Sequence, residues 1–178
     1  FTGSLGDAAA GLQVLRNLCK ESLSGEHRAA LIDAFFVPES RIEAGLVLRD
    51  LASSCIDLSD GLASDLVHIL RASAVGASID LDALPLSVAL RAAHSDAQQR
   101  RLAISGGDDY ELCFTLSPEN EDAMRAALGT IGVPVTRIGS ITQGTQLQWC
   151  ERGEPIALEV SGYKHFHATL KNLMKEVR

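Results

Sequence analysis

At 178 residues, 46% of them hydrophobic but only 4% aromatic, the chain is long enough for one domain with a core of Ala, Leu, Val and Ile. A net charge of −7 and a pI near 5.2 exclude a basic phosphate-backbone binder, though divalent cations can still bridge carboxylates to nucleotide phosphates. No apolar run approaches the ~20 residues that span a bilayer, no signal peptide is visible, and Cys19, Cys55, Cys113 and Cys150 form no CxxC pair. These features predict a cytoplasmic protein with buried free thiols and with neither nucleic-acid nor membrane partners.

Phe1-Thr2-Gly3 reads as the end of a strand entering a turn, with further sequence expected upstream. Asp7 is a candidate N-cap for a first helix that sets Leu12, Leu15, Leu18 and Cys19 on one face. A second helix is predicted over 25–35, Pro38 breaks the pattern, and a third helix is predicted over 40–52. Residues 53–58 read as a buried strand that leads into a helix over 61–72, which Gly76 ends. A strand follows over 77–81, then a helix over 85–93 and helical sequence over 96–103. Gly106-Gly107 marks a turn before a strand over 110–116, a helix over 118–128 and a strand over 135–141. Residues 147–150 and 156–160 flank Gly153 as a hairpin, and 165–176 form a last helix. Mixed strands and helices without repeats predict a single α+β domain over 1–178, three-layered with a mixed sheet.

Three runs can carry chemistry. In Ser54-Cys-Ile-Asp-Leu-Ser-Asp-Gly-Leu62 an apolar strand delivers Asp57, Ser59 and Asp60 just before a helix. Residues 57 and 59 share one face of an extended segment. Paired carboxylates suit Mg2+, a hard cation that keeps waters and substrate phosphates in its shell. A plain cap by Ser59 or Asp60 is the competing explanation. Ser105-Gly-Gly-Asp-Asp-Tyr-Glu-Leu112 places two carboxylates after two glycines, either a ligand loop or a solvated turn. Gly162-Tyr-Lys-His-Phe166 offers an aromatic pair that could stack on a heterocycle or pin the last helix. Thr2 to Asp7 lead into a helix N-terminus, where a cap by Asp7 competes with an anion site. Neither a P-loop nor a protein-kinase catalytic loop is present.

Together with Thr2-Gly-Ser-Leu-Gly-Asp-Ala-Ala-Ala-Gly11 and Val37-Pro-Glu-Ser-Arg-Ile-Glu-Ala-Gly45, these runs resemble, in order and spacing, the thiamine-monophosphate kinases. The resemblance spans nearly the whole chain and extends to a superfamily with aminoimidazole-ribonucleotide synthetase. It implies the C-terminal domain of an ATP- and Mg2+-dependent kinase that converts thiamine monophosphate to thiamine diphosphate. The ATP-binding, dimerising N-terminal domain would lie outside these residues, and the intact protein would be a homodimer. By position, Asp57 and Asp60 resemble Mg2+ ligands and Ser59 an ATP contact. Asp108 falls where the family usually has Glu against the thiamine moiety, and Tyr163, with Phe166, matches an aromatic wall of the substrate pocket. No residue is implied as a covalent catalyst or general base. Two other classes stay open: a superfamily relative using ATP on another small substrate, and a non-catalytic ligand-binding fragment.

Overall fold

A computed structural model describes residues 1–158. The helices are α1 (Asp7–Leu15), α2 (Gly25–Phe36), α3 (Ile42–Leu48), α4 (Leu62–Ser73), α5 (Val88–Ala93), α6 (Asp96–Ser105) and α7 (Glu121–Thr130). The strands are β1 (Ser54–Asp57), β2 (Gly76–Asp80), β3 (Leu112–Thr115), β4 (Gly139–Thr142), β5 (Leu147–Glu151) and β6 (Glu154–Ile156). β1 and β3 form an antiparallel pair, Asp57 opposite Leu112, while β4-β2-β5-β6 form a second sheet. In that sheet β2 runs parallel to β5 and antiparallel to β4, so the expected α+β class with a mixed sheet is what the structure has.

Three apolar clusters hold these elements. Leu62, Leu66 and Leu70 of α4 pack with Ile79 and Trp149 of the mixed sheet. Val14, Leu31 and Leu90 join α1, α2 and α5, and Leu48, Phe114, Met124 and Leu128 join α3, β3 and α7. Leu58 and Leu62, both almost fully buried, bracket the loop between β1 and α4, so that loop is fixed at both ends.

Several expectations change. In α1 the buried face is Ala8, Ala10, Gly11 and Val14, whereas Leu15 and Leu18 are exposed. The small residues let α2 approach closely: a methyl group at Gly11 would collide with the Leu31 carbonyl. The third helix is shorter than predicted, Ile42–Leu48; Arg41 holds its N-cap position and sends its side chain inward to Glu111, while Ser40 and Ile42 on either side are exposed. β1 is not buried: Cys55 and Asp57 are exposed, since among the described residues β3 is its only strand partner. Of the four thiols only Cys113 is buried, although all are free as expected. Ala74, with φ of 53°, ends α4, and Gly76 opens β2. The strand predicted over 135–141 is paired as β4 only from Gly139; before it, Val135 makes a single bridge to Thr2. That bridge agrees with the strand-then-turn reading of the first residues, Gly3 having φ of 60°. β5 and β6 form a hairpin about Gly153 as expected, but β6 is Glu154–Ile156 rather than 156–160, and the last predicted helix lies outside the described residues.

Candidate functional site

The loop leaving β1 is shaped from behind. Asp65, in the first turns of α4 and only 4% exposed, accepts the backbone N–H groups of Ser59 and Asp60 on Oδ2, both at 3.0 Å. Burial pushes the Asp65 carboxyl up, and those N–H groups oppose the rise. The N-cap position belongs to Gly61, without a side-chain bond.

The second loop lies against the first. Asp108 N–H donates to the Ser59 carbonyl (3.0 Å), Tyr110 N–H to the Leu58 carbonyl and Leu58 N–H to the Glu111 carbonyl (both 2.9 Å). This approach depends on Gly107, where a methyl group would collide with the Ser59 carbonyl. The structure therefore brings Asp57, Ser59, Asp60 and Asp108 onto two adjoining loops.

Within 108–111 the side chains alternate. Asp108 and Tyr110 are exposed, and both are non-glycine residues with left-handed backbone, φ 67° and 51°. Such conformations cost on the order of 1–3 kcal/mol each and persist only where neighbours impose them. The inward neighbours do so. Asp109 takes the Gly6 N–H on Oδ2 (2.7 Å) and the Ala8 N–H on Oδ1 (3.2 Å), closing the start of α1. Burial raises its carboxyl to about 7. Glu111 takes Arg41 Nε on Oε2 (2.7 Å) and Arg41 Nη2 on Oε1 (2.8 Å), with the Thr2 hydroxyl also on Oε2 (2.6 Å). Asp7 caps nothing; the Ser4 and Ser87 hydroxyls donate to it, each at 2.6 Å, and burial raises it.

The outward side is acidic. The Tyr110 phenol is pushed up first by Asp108, to which its hydroxyl donates at 3.4 Å, then by slight burial and by the charges of Asp57 and Asp60. Asp57 and Tyr110 line one open hollow with Pro38, Arg41 and Ile42. Among the described residues no three His, Cys, Asp or Glu side chains form a ready-made metal cage. Paired carboxylates suit Mg2+, whose remaining positions are filled by water and phosphate oxygens, and of the candidate pair Asp57 is the one that lines the hollow. A separate apolar cavity of about 280 Å³ between β3 and β4, lined by Leu66, Ile79, Phe114 and Met124, contains none of the candidate residues. We place the site at the two loops, where the polar groups converge.

Tyr163 and Phe166 lie outside the described residues. Sequence reasoning missed Asp65, Asp109, Glu111, Arg41 and Thr2 as the groups that hold the loops. No signal in the sequence could have found them: Asp108-Asp-Tyr-Glu111 carries no alternation of polar and apolar residues that would mark an inward face. Among the described residues no helix is long and apolar enough to cross a membrane.

Residues 1–149 match the family described as AIR synthase related protein, C-terminal domain. The thiamine-monophosphate kinase of Escherichia coli (strain K12) is 48% identical over 166 residues, covering 93% of this chain and 51% of that protein. The crystal structure of thiamine-monophosphate kinase from Stenotrophomonas maltophilia K279a matches with a TM-score of 0.78 and 37% identity, over 87% of this chain and 49% of that one. A structure described as AaThiL complexed with AMPPCP and TMP matches with a TM-score of 0.71 and 29% identity, over 93% of this chain and 50% of that one. The chain spans about half the length of the curated relatives it matches.

Proposed function

The chain belongs to the AIR synthase-related C-terminal domain family, and on that premise we propose that it is the C-terminal part of an ATP-dependent thiamine-monophosphate kinase. The observation that carries this reading is the hydrogen-bonded meeting of the 57–60 and 106–111 loops, with acidic side chains facing out beside an open hollow. Similarity to thiamine-monophosphate kinases over 93% of the chain supports it, as does the relative complexed with AMPPCP and TMP. The other half of the relatives' length would supply the rest of the ATP site and a homodimer contact, in a cytoplasmic protein.

Asp57 and Asp60 would hold Mg2+ through carboxylate oxygens. When bound, the ion supplies neutralising charge to the phosphates. Ser59, fixed by Asp65 through its backbone, would contact ATP. Asp108 would meet the thiamine moiety, and Tyr163 and Phe166 would complete the wall of that pocket. An oxygen of the thiamine monophosphate phosphate attacks the γ-phosphorus of ATP; one P–O bond forms as the bond to ADP breaks. That oxygen is ionised near neutral pH, so no side chain needs to remove a proton. The residues bind, orient and exclude water.

The test is thiamine diphosphate formation by the intact protein across a Mg2+ titration, wild type against Asp57→Asn and Asp60→Asn. Each variant is expected to lose about 10²-fold in turnover and to need more Mg2+. Asp57→Asn should keep its unfolding midpoint, since Asp57 is exposed at the end of β1. Unaltered turnover and unaltered Mg2+ dependence in both would overturn the assignment.

A further inference from the structure

We propose that Arg41 is a positioning residue of this site, acting through Glu111 to set the 108–110 loop against the 57–60 loop. The inference rests on the reading above that these loops bind the substrates.

Arg41 and Glu111 form a two-pronged ion pair in which both side chains are only 9% exposed. A planar guanidinium meeting both carboxylate oxygens fixes orientation as well as distance, which a lysine ammonium cannot do. The Thr2 hydroxyl adds a third donor, and Thr2 Oγ1 in turn accepts the Leu112 N–H at 2.8 Å. The Glu111 side chain is thus held from two remote points of the chain. Its backbone carbonyl receives the Leu58 N–H, one residue after Asp57. A shift of the Glu111 side chain therefore passes directly to the spacing between the exit of β1 and the outward pair Asp108 and Tyr110. The third guanidinium nitrogen, Nη1, meets Glu39 at 2.9 Å, but that side chain is 77% exposed, so the buried side carries the hold. Arg41 also borders the hollow that Asp57 and Tyr110 line.

The geometry predicts a selective effect. Ser59 and Asp60 are anchored by Asp65, and among the described residues no hydrogen bond or ion pair joins Asp65 to Arg41 or Glu111. Loosening Arg41 should therefore disturb the side that meets the thiamine moiety and spare the ATP side. A pair serving only the fold would lower stability without separating the two substrates.

The experiment measures steady-state constants for both substrates in the intact protein, with Arg41→Lys, Thr2→Val and, as control, Asp57→Asn. Arg41→Lys is expected to raise KM for thiamine monophosphate about tenfold and to leave KM for ATP within about twofold. Thr2→Val keeps the buried volume and removes the hydroxyl, so it should shift the same constant in the same direction by a smaller factor. If Asp57→Asn is inactive while folded Arg41→Lys and Thr2→Val keep both constants, the positioning role is wrong and the site reading survives. Equal rises in both KM values would also overturn it, because the pair would then serve the fold alone. Should Arg41→Lys fail to fold, Thr2→Val decides the matter by itself. Full activity of Asp57→Asn would instead remove the site reading on which the inference stands.

Discussion

Asp108 and Asp109 are neighbours with opposite tasks: one faces solvent at the site, and the other closes a helix about a hundred positions away in the chain. Adjacent carboxylates after two glycines are legible in the sequence, but which one turns inward is not. The answer depends on left-handed backbone at 108 and 110, which neither residue type dictates. The inward position has a thermodynamic signature. Burial raises the Asp109 carboxyl from 3.8 to about 7, so the folded chain keeps a proton that the unfolded chain releases in between. Its contribution to stability is complete below 3.8 and is lost as pH rises toward about 7. Burial pushes Asp7 in the same direction. Urea unfolding of the wild type and of Asp109→Asn is expected to show a fall with pH that the variant largely lacks, so that the difference reports this carboxyl alone. Parallel curves for the two proteins would mean that the slope originates elsewhere.

Elements were easier to find than their faces. The helices after Ser24 and Ser95 start where the sequence places them, whereas the one predicted from 85 starts at Val88; Ser24 and Ser87 cap their helices by accepting the His27 and Leu90 N–H groups, a role the sequence reading did not assign. The β1-to-α4 and 106–112 runs were recognisable because Gly and Asp at fixed offsets leave few alternatives to a tight strand exit. α1 was misread because leucines weigh more than alanines in any apolar pattern. The chain packs this helix by its small residues, letting α2 come close enough to cover Val14. Gly11→Ala tests that contact. An added methyl in an exposed helix would stabilise by about 1 kcal/mol, but here it meets the Leu31 carbonyl. The expected result is a loss of about 1–3 kcal/mol in denaturant unfolding. A gain would show that α1 and α2 can separate at little cost.

At the scale of the whole molecule, the α+β class followed from alternation of elements, but the division into a two-stranded pair and a four-stranded mixed sheet did not. Strand pairing over more than fifty residues, as between β1 and β3, leaves no local mark in the sequence. The chain also matches only about half of each curated relative, and the acidic loops carry Asp57, Asp60 and Asp108 where polyphosphate chemistry needs positive charge. The isolated 178-residue chain is therefore expected to fold yet form thiamine diphosphate no faster than buffer with Mg2+ and ATP, as a coupled product assay would register. Robust turnover by this chain alone would overturn the two-part reading of the site. Because Asp109 and Glu111 secure the segment from within, the side chains at 108 and 110 contribute little to folding, and mutation can sample there residues that tolerate left-handed backbone, glycine and asparagine first, without unravelling the scaffold. Directed selection for an altered acceptor would start most profitably at those two positions.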